Sequence, residues 1–158
     1  MLSFGTAKFD SHNKVKSEVL KILKKLKSKE KIFLEPSFYN KSLKGLNIQK
    51  ADYSNKMYNK ISVAYIKPGM GTVEECLRRG IPIICYSKNT SNEFVYNSKI
   101  IKKNKLGNSE NNLEKGIKKA INILNDKSQL KYFHTRIKKL LWQGEKKVIK
   151  IILTSLNF

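Results

Sequence analysis

The chain is poor in acidic residues, arginine, cysteine and proline. Only 12 of its 158 residues are Asp or Glu, against 33 Lys or Arg, and its formal net charge is +21. It contains two cysteines and three prolines. Few cysteines exclude a disulfide-rich scaffold, and a 40% apolar fraction excludes a disordered chain. No apolar run approaches the roughly 20 residues of a membrane-spanning helix. We therefore treat residues 1–158 as one globular domain.

Localisation and metal binding are constrained by further absences. Residues 1–10 lack the basic start and apolar middle of a signal peptide, so we expect a cytoplasmic protein. Cys76 and Cys85 fall in a predicted helix and a predicted buried strand, without the paired spacing of a zinc site, and we interpret them as reduced core thiols. We predict no metal site. His12 and His134 receive no catalytic role, so the catalytic residues are unknown.

The positive charge raises the question of an anionic partner. Arginine, whose planar fork suits bases and phosphates, occurs only at positions 78, 79 and 136, whereas lysine is spread over nearly every segment. This distribution disfavours nucleic acid as a partner. It is more compatible with an anionic membrane surface at the cytoplasmic side, where each basic residue contributes about 1 kcal/mol. A nonenzymatic basic module that binds nucleic acid or anionic membrane is the alternative to an enzyme.

Short apolar runs alternate with helical patterns along the chain. Strands are predicted at 1–4, 32–34, 46–48, 61–66, 81–86 and 100–101. Helices are predicted after Ser11, over 54–60, 72–79 and 93–99, and from about 113 in two segments divided near 125–126. This order predicts an α/β fold, a Rossmann-like parallel sheet with helices on both faces. Ligands of such sheets bind beyond the carboxyl ends of the strands, at loops 5–6, 51–52, 67–72 and 87–92 here.

The most informative loop runs from Lys67 to Thr72, with two glycines between a buried strand and a helix. Glycine permits close backbone approach, and the free N–H groups of a helix start can hold a phosphate. Glu75 falls one turn into the helix, where its carboxylate could accept hydrogen bonds from a ribose diol. The other interpretation of Glu75 is a capping box with Thr72, and spacing alone favours it.

The stretch from Ser62 to Asn97 resembles the donor-site motif of GT-B glycosyltransferases. The likeness lies in the glycine-rich turn, Thr72, Glu75, the Gly80-Ile81-Pro82 step and the segment 93–97. It is closest to the C-terminal domain of the peptidoglycan lipid-intermediate GlcNAc transferase family, glycosyltransferase family 28. The resemblance implies one half of a GT-B fold, which binds the nucleotide-sugar donor.

The resemblance also implies roles for individual residues. The donor diphosphate would be held by Gly69, Met70, Gly71 and Thr72, with Gly5 and Thr6 closing the phosphate side beside Ser3. Glu75 would hold the ribose, Ala51 and Asp52 would contact uracil, and Asn92 and Glu93 would face the sugar with Ser91. Lys67 replaces an arginine common in the family and keeps its charge, and Ser62 replaces an aspartate. Phe94 replaces a glutamine, which leaves Glu93 as the polar side chain toward the sugar and the identity of the sugar open.

A single donor-binding half implies a missing partner. GT-B enzymes bind the acceptor in a second Rossmann-like domain, so we expect an N-terminal acceptor-binding domain or a separate subunit. A UDP-sugar would be the donor substrate, with hexosyl or N-acetylhexosaminyl transfer as the reaction and no further cofactor. This chain alone is then expected to be incomplete or inactive as an enzyme. A non-hydrolysing nucleotide-sugar epimerase would need catalytic carboxylates that the sequence does not reveal.

Overall fold

The computed structural model describes residues 1–4, 12–26, 28–86, 88 and 91–140. Its centre is one six-stranded sheet in which every strand pair is parallel. The strands are β1 (Leu2–Ser3), β2 (Ile32–Leu34), β3 (Ile48–Lys50), β4 (Ala64–Ile66), β5 (Ile83–Cys85) and β6 (Gly107–Ser109). Their order is β3-β2-β1-β4-β5-β6, which reverses direction between β1 and β4. The predicted α/β class with a parallel sheet is confirmed.

Helices lie between the strands and after the last one. They are α1 (His12–Leu26), α2 (Asn55–Tyr58), α3 (Met70–Arg78), α4 (Asn92–Lys103), α5 (Leu113–Asn125) and α6 (127–140), with a short 3-10 helix at Lys41–Leu43. The break between α5 and α6 lies at Asp126. Its carboxylate caps α6, because Oδ1 accepts hydrogen bonds from the Ser128 and Gln129 N–H groups. The described part of the chain holds no helix long and apolar enough to cross a membrane.

Two apolar clusters cover the two faces of the sheet. On one face, α1 and α5 bury Val19, Leu23 and Ile117 against β1, β2 and β4. On the other, α2, α3 and α4 bury residues such as Met57 and Cys76 against β4 and β5. Because Cβ atoms alternate across a strand, the near-continuous apolar runs of β4 and β5 supply both clusters. The predicted placement of helices on both faces is therefore confirmed.

The last strand and the helix before it differ from the sequence-based prediction. Ile100 and Ile101 were predicted to form a strand, but they lie in α4, where Ile101 is buried and Ile100 is exposed. The last strand is instead Gly107–Ser109, in a stretch for which neither a strand nor a helix was predicted. Its side chains carry no apolar alternation, and its pairing with Ile83–Cys85 is what makes it a strand. A pattern of apolar residues cannot reveal such a strand.

Helix α3 begins before the predicted residue and ends at the predicted glycine. Gly69 is its N-cap, so Thr72 is the third helical residue rather than the cap, and the predicted capping box is wrong. At the other end Gly80 has φ +73, its N–H bonds to Leu77 O at 2.9 Å, and the Ile81 N–H bonds to Cys76 O at 2.9 Å. This is a Schellman motif, which glycine favours because it adopts positive φ without strain.

Several predictions concern residues beyond those described. Ser11, predicted to cap the first helix, lies outside the described residues. The helical pattern at the end of the sequence also predicts that Trp142 and its apolar neighbours pack a helix onto the domain or onto a partner, and Trp142 too lies outside the described residues. Within α6, Phe133 packs in the first cluster and Ile137 in the second, so this helix joins the two faces of the sheet. The two cysteines are buried free thiols, as predicted.

Candidate functional site

A pocket of about 410 Å³ opens at the carboxyl edge of the sheet, beside the point where the strand order reverses. Its walls come from the ends of β1 and β2, from the segment after β3, and from the first turns of α3. The lining residues are Ser3, Glu35, Tyr53, Tyr58, Gly71, Thr72 and Glu75. Open α/β sheets bind ligands at this kind of crevice, because connections leave in opposite directions from the two strands.

Glu75 lines this pocket from the second turn of α3. Since the helix begins at Met70, Glu75 is its sixth residue and does not cap it. Its Oε1 accepts hydrogen bonds from the Nε and Nη2 atoms of Arg79, the former at 3.0 Å. Its Oε2 has no hydrogen-bond partner among the described residues. About a third of the side chain is exposed. The capping explanation is thereby removed, and one carboxylate oxygen remains available at the pocket.

Glu35 is a fully buried carboxylate in the same wall, at the end of β2. Its Oε2 accepts the Phe4 N–H at 2.6 Å, and its Oε1 accepts the Ser37 hydroxyl at 2.9 Å. The Phe4 ring stacks on Phe38 and meets Tyr65 edge-on, with centroid distances of 5.7 and 5.3 Å. Buried carboxylates require such partners. Glu35 therefore fixes the chain at the end of β1.

Two tyrosines, Tyr53 after β3 and Tyr58 in α2, also line the pocket. Tyr53 has φ +56, an uncommon conformation for a non-glycine residue, and its hydroxyl lies 3.2 Å from Ser3 Oγ. Burial raises the pKa of Tyr53, and burial raises that of Tyr58 to about 12. Both hydroxyls thus remain neutral at physiological pH and can donate or accept hydrogen bonds.

The turn between β4 and α3 is held by α4. Asn97 is buried and donates from Nδ2 to Pro68 O at 2.8 Å. The Lys67 ammonium lies 4.6 Å from the centroid of the Phe94 ring. Burial lowers the pKa of Lys67, and the negative charge of Glu35 partly opposes this effect. The start of α4 is consequently fixed against the turn predicted to hold phosphate.

Two of the amides in this turn already have protein partners. The Gly69 N–H donates to Lys67 O at 2.8 Å, within the turn. The Met70 N–H donates to Glu93 Oε1 at 3.2 Å, so a carboxylate from α4 lies at the N-terminus of α3. In general, the N-terminus of a helix favours an anion, because its first N–H groups lack partners within the helix and the helix dipole is positive there.

The predicted binding residues fall into two neighbouring groups. Gly71, Thr72 and Glu75 line the pocket. Lys67, Gly69, Met70 and Glu93 surround the turn beside it, with Asn92 starting α4. Gly5 and Thr6 lie outside the described residues. Ala51 and Asp52, which were predicted to contact uracil, do not line the pocket. Asp52 Oδ1 instead accepts hydrogen bonds from the Ser54 N–H and hydroxyl. The residue after them, Tyr53, does line the pocket.

Four wall or support residues were absent from the sequence-based prediction: Glu35, Tyr53, Tyr58 and Arg79. Glu35 follows the predicted strand 32–34 directly, so its position at the carboxyl edge was open to inference. Arg79 stands four residues after Glu75, a spacing that places both on one helix face. The tyrosines carry no such signal, because their places depend on the path of the chain after β3.

A second pocket, of about 180 Å³ and mostly apolar, lies at the opposite edge, where the strands begin. Met1, Phe33, Ile61 and Ile117 are among its lining residues. No group of three or more His, Cys, Asp or Glu among the described residues is placed to hold a metal ion.

Comparison with known proteins identifies the architecture. No family model and no curated protein sequence matches this chain. Among solved structures, the glycosyltransferase of kitacinnamycin superposes on 98% of the chain with a TM-score of 0.68 at 12% identity. SnogD from Streptomyces nogalater covers 87% of the chain with a TM-score of 0.62 at 13% identity. The fold is one GT-B domain.

A third similar structure is the Streptomyces sp. SF2575 glycosyltransferase SsfS6, complexed with thymidine diphosphate. It covers 87% of the chain with a TM-score of 0.56 at 14% identity. The matches span only 42%, 36% and 37% of the three glycosyltransferases, so this GT-B domain corresponds to less than half of each.

Proposed function

We propose that this chain is the donor-binding domain of a glycosyltransferase and that it binds a UDP-sugar in the pocket at the carboxyl edge. The observation that carries the proposal is Glu75, whose carboxylate lines a pocket at the reversal of strand order without serving as a helix cap. A carboxylate that accepts two hydrogen bonds suits the vicinal hydroxyls of a ribose.

The neighbouring turn supplies what a diphosphate needs. Gly71 is exposed and lines the pocket beside Thr72, so a phosphate can approach the start of α3 without meeting a side chain at that position. Phosphates bind at such helix starts through backbone N–H groups and the helix dipole. The Lys67 ammonium adds positive charge next to the same turn. SsfS6 was crystallised with a nucleoside diphosphate, which supports this class of ligand for the fold.

The sugar would lie toward α4, near Asn92 and Glu93. Glu93 is exposed and within hydrogen-bond distance of the Met70 N–H, at the turn where the diphosphate is proposed to bind. The finer assignments rest on the resemblance of residues 62–97 to the family 28 donor motif. They are hexosyl or N-acetylhexosaminyl transfer, and a second domain or subunit that holds the acceptor. The net charge of +21, rather than the resemblance, favours an anionic membrane on the cytoplasmic side as a partner surface. Each of these assignments stays a prediction.

Titration of UDP by calorimetry tests the proposal with a matched pair of variants. Glu75→Ala should weaken UDP binding by about ten- to hundredfold, the effect of about 1.5–3 kcal/mol in hydrogen bonds to a charged group. Glu74→Ala is the control, because Glu74 is the exposed neighbouring carboxylate and adjacent helical residues point about 100° apart. The melting temperature of each variant separates lost binding from lost folding.

Each outcome has a distinct meaning. Loss of affinity in Glu75→Ala alone supports the donor site. If Glu75→Ala binds UDP as tightly as wild type while Glu74→Ala does not, the register of the motif is wrong. If wild type does not bind UDP but binds a short duplex in a salt-sensitive manner, the basic-module alternative replaces the transferase.

A further inference from the structure

Arg79 is the most extensively bonded charged side chain next to the pocket. Its Nε and Nη2 both donate to Glu75 Oε1, and Nη2 also donates to Asn55 Oδ1 at 2.7 Å. Its guanidinium carbon lies 5.1 Å from the centroid of the Tyr58 ring. The group thus contacts three partners on α2 and α3, two of which, Tyr58 and Glu75, line the pocket.

These contacts immobilise the guanidinium before any ligand binds. A long glutamate side chain with a third of its surface exposed would otherwise sample several rotamers, and fixing it on ligand binding would cost entropy. Because both donors converge on Oε1, the carboxylate is held in one orientation and Oε2 remains without a partner among the described residues. Only arginine has donors arranged to bond two acceptors in one plane while its face lies against an aromatic ring.

Arg79 also balances charge. The proposed ligand carries a diphosphate, and an uncompensated carboxylate in the same pocket would repel it. The adjacent guanidinium compensates the charge of Glu75, while Oε2 keeps its capacity to accept hydrogen bonds. Positive charge near a helix C-terminus, where Arg79 is the C-cap of α3, is favourable in addition.

From these contacts we infer that Arg79 is a positioning residue for ribose recognition: it presents Glu75 Oε2 to the ribose 2′-hydroxyl and so makes the site prefer ribonucleotides over 2′-deoxyribonucleotides. The inference rests on the proposed function and extends it from nucleotide binding to discrimination at the sugar. Arg79 lies four positions after Glu75. Unlike Glu75, it does not itself line the pocket.

The test measures Kd for UDP and for 2′-deoxy-UDP and compares their ratio. A variant that merely lowers the folded fraction raises both Kd values equally, so the ratio is insensitive to stability. Wild type should bind UDP more tightly, with a ratio above one. Arg79→Ala should reduce that ratio by roughly three- to tenfold. Arg79→Lys keeps the charge but loses the planar pair of donors that meets Glu75 Oε1, and should give an intermediate ratio.

A double-mutant cycle shows whether Arg79 acts through Glu75. In a Glu75→Ala background the additional Arg79→Ala change should leave the ratio unaltered, because no carboxylate remains to be positioned. Lys118→Ala is the control. Lys118 and Glu114 form the same i, i+4 type of ion pair on α5, with a 2.7 Å separation, and neither lines the pocket. Its ratio should equal that of wild type.

The outcomes separate this inference from the proposed function. If wild type prefers UDP and Arg79→Ala keeps the wild-type ratio while both Kd values rise, Arg79 is only structural and the inference is wrong. An increased ratio in Arg79→Ala would show that the guanidinium competes with the ribose, which also overturns it. If wild type binds neither nucleotide, the proposed function and the inference fall together.

Discussion

Removal of the Glu35 carboxylate should destabilise the fold, because it leaves the Phe4 N–H without its partner. Both residues are buried, and the N–H lies 2.6 Å from Glu35 Oε2. A hydrogen bond to a charged acceptor contributes about 1.5–3 kcal/mol, and relief of the desolvation of the buried carboxylate offsets part of it. Ser37 can turn its hydroxyl toward water. We therefore expect Glu35→Ala to lower the free energy of unfolding by about 2 kcal/mol.

Urea unfolding monitored by circular dichroism measures this change. Against a total stability of about 5–15 kcal/mol, a loss of 2 kcal/mol moves the melting temperature by about 4–8 °C for a chain of this size. Glu35→Gln retains a neutral oxygen acceptor for the Phe4 N–H, so it should lose about 1 kcal/mol. Glu74→Ala removes an exposed carboxylate and should change stability by less than about 0.5 kcal/mol.

The relative stabilities of the three variants test whether the Glu35 hydrogen bond to Phe4 stabilises the fold. If Glu35→Ala unfolds within about 0.5 kcal/mol of wild type, as Glu74→Ala should, the bond to Phe4 does not hold the end of β1. Equal losses for Glu35→Ala and Glu35→Gln would point to the charge rather than to the acceptor atom as the source of the effect.

Two further predictions concern the core. Gly116→Ala should lower stability by about 1–3 kcal/mol in urea unfolding, since its Cβ would lie 2.2 Å from Tyr65 Cζ; a variant as stable as wild type would contradict this close packing of α5 on β4. Burial raises the pKa of Cys76 to about 12 and that of Cys85 to about 11, so neither thiol should react with a thiol reagent at pH 8 until the protein unfolds. The same shifts make stability fall as pH rises above about 8.5, because only the unfolded thiols ionise there, and replacing both cysteines by alanine should remove that part of the pH dependence.

The strands and helices of the fold could be predicted from the sequence more fully than the residues that line the pocket. Apolar runs predict β2, β4 and β5 because strands covered on both faces need apolar side chains at nearly every position. The strand Gly107–Ser109 has no apolar run and could not be predicted in this way. It is a strand because it pairs with its neighbour β5. The start of α3 was predicted at Thr72 because threonine favours caps, whereas Gly69 takes that place with no side-chain bond.

Contacts between distant parts of the chain explain the rest. Glu35 meets Phe4 across 31 residues, and Arg79 meets Asn55 across 24 residues. No local periodicity encodes such pairs. By contrast, the Glu75 and Arg79 pair is spaced four residues apart on one helix and could be derived from the sequence. A turn between β4 and α3 was predicted because Pro68 and the glycines interrupt the apolar run, but it is shorter than the predicted 67–72, since residues 70–72 already belong to α3.

Donor binding at the carboxyl edge is tested most directly by locating bound UDP, mapped by backbone amide chemical shifts in ¹⁵N-labelled protein during a titration. Binding in the pocket at the carboxyl edge predicts that the shifted amides cluster around Tyr53, Gly71, Thr72 and Glu75 and that these shifts are lost in Glu75→Ala. Shifts clustered instead around Ile61 and Ile117, at the pocket on the opposite edge of the sheet, or an absence of specific shifts at saturating UDP, would contradict it.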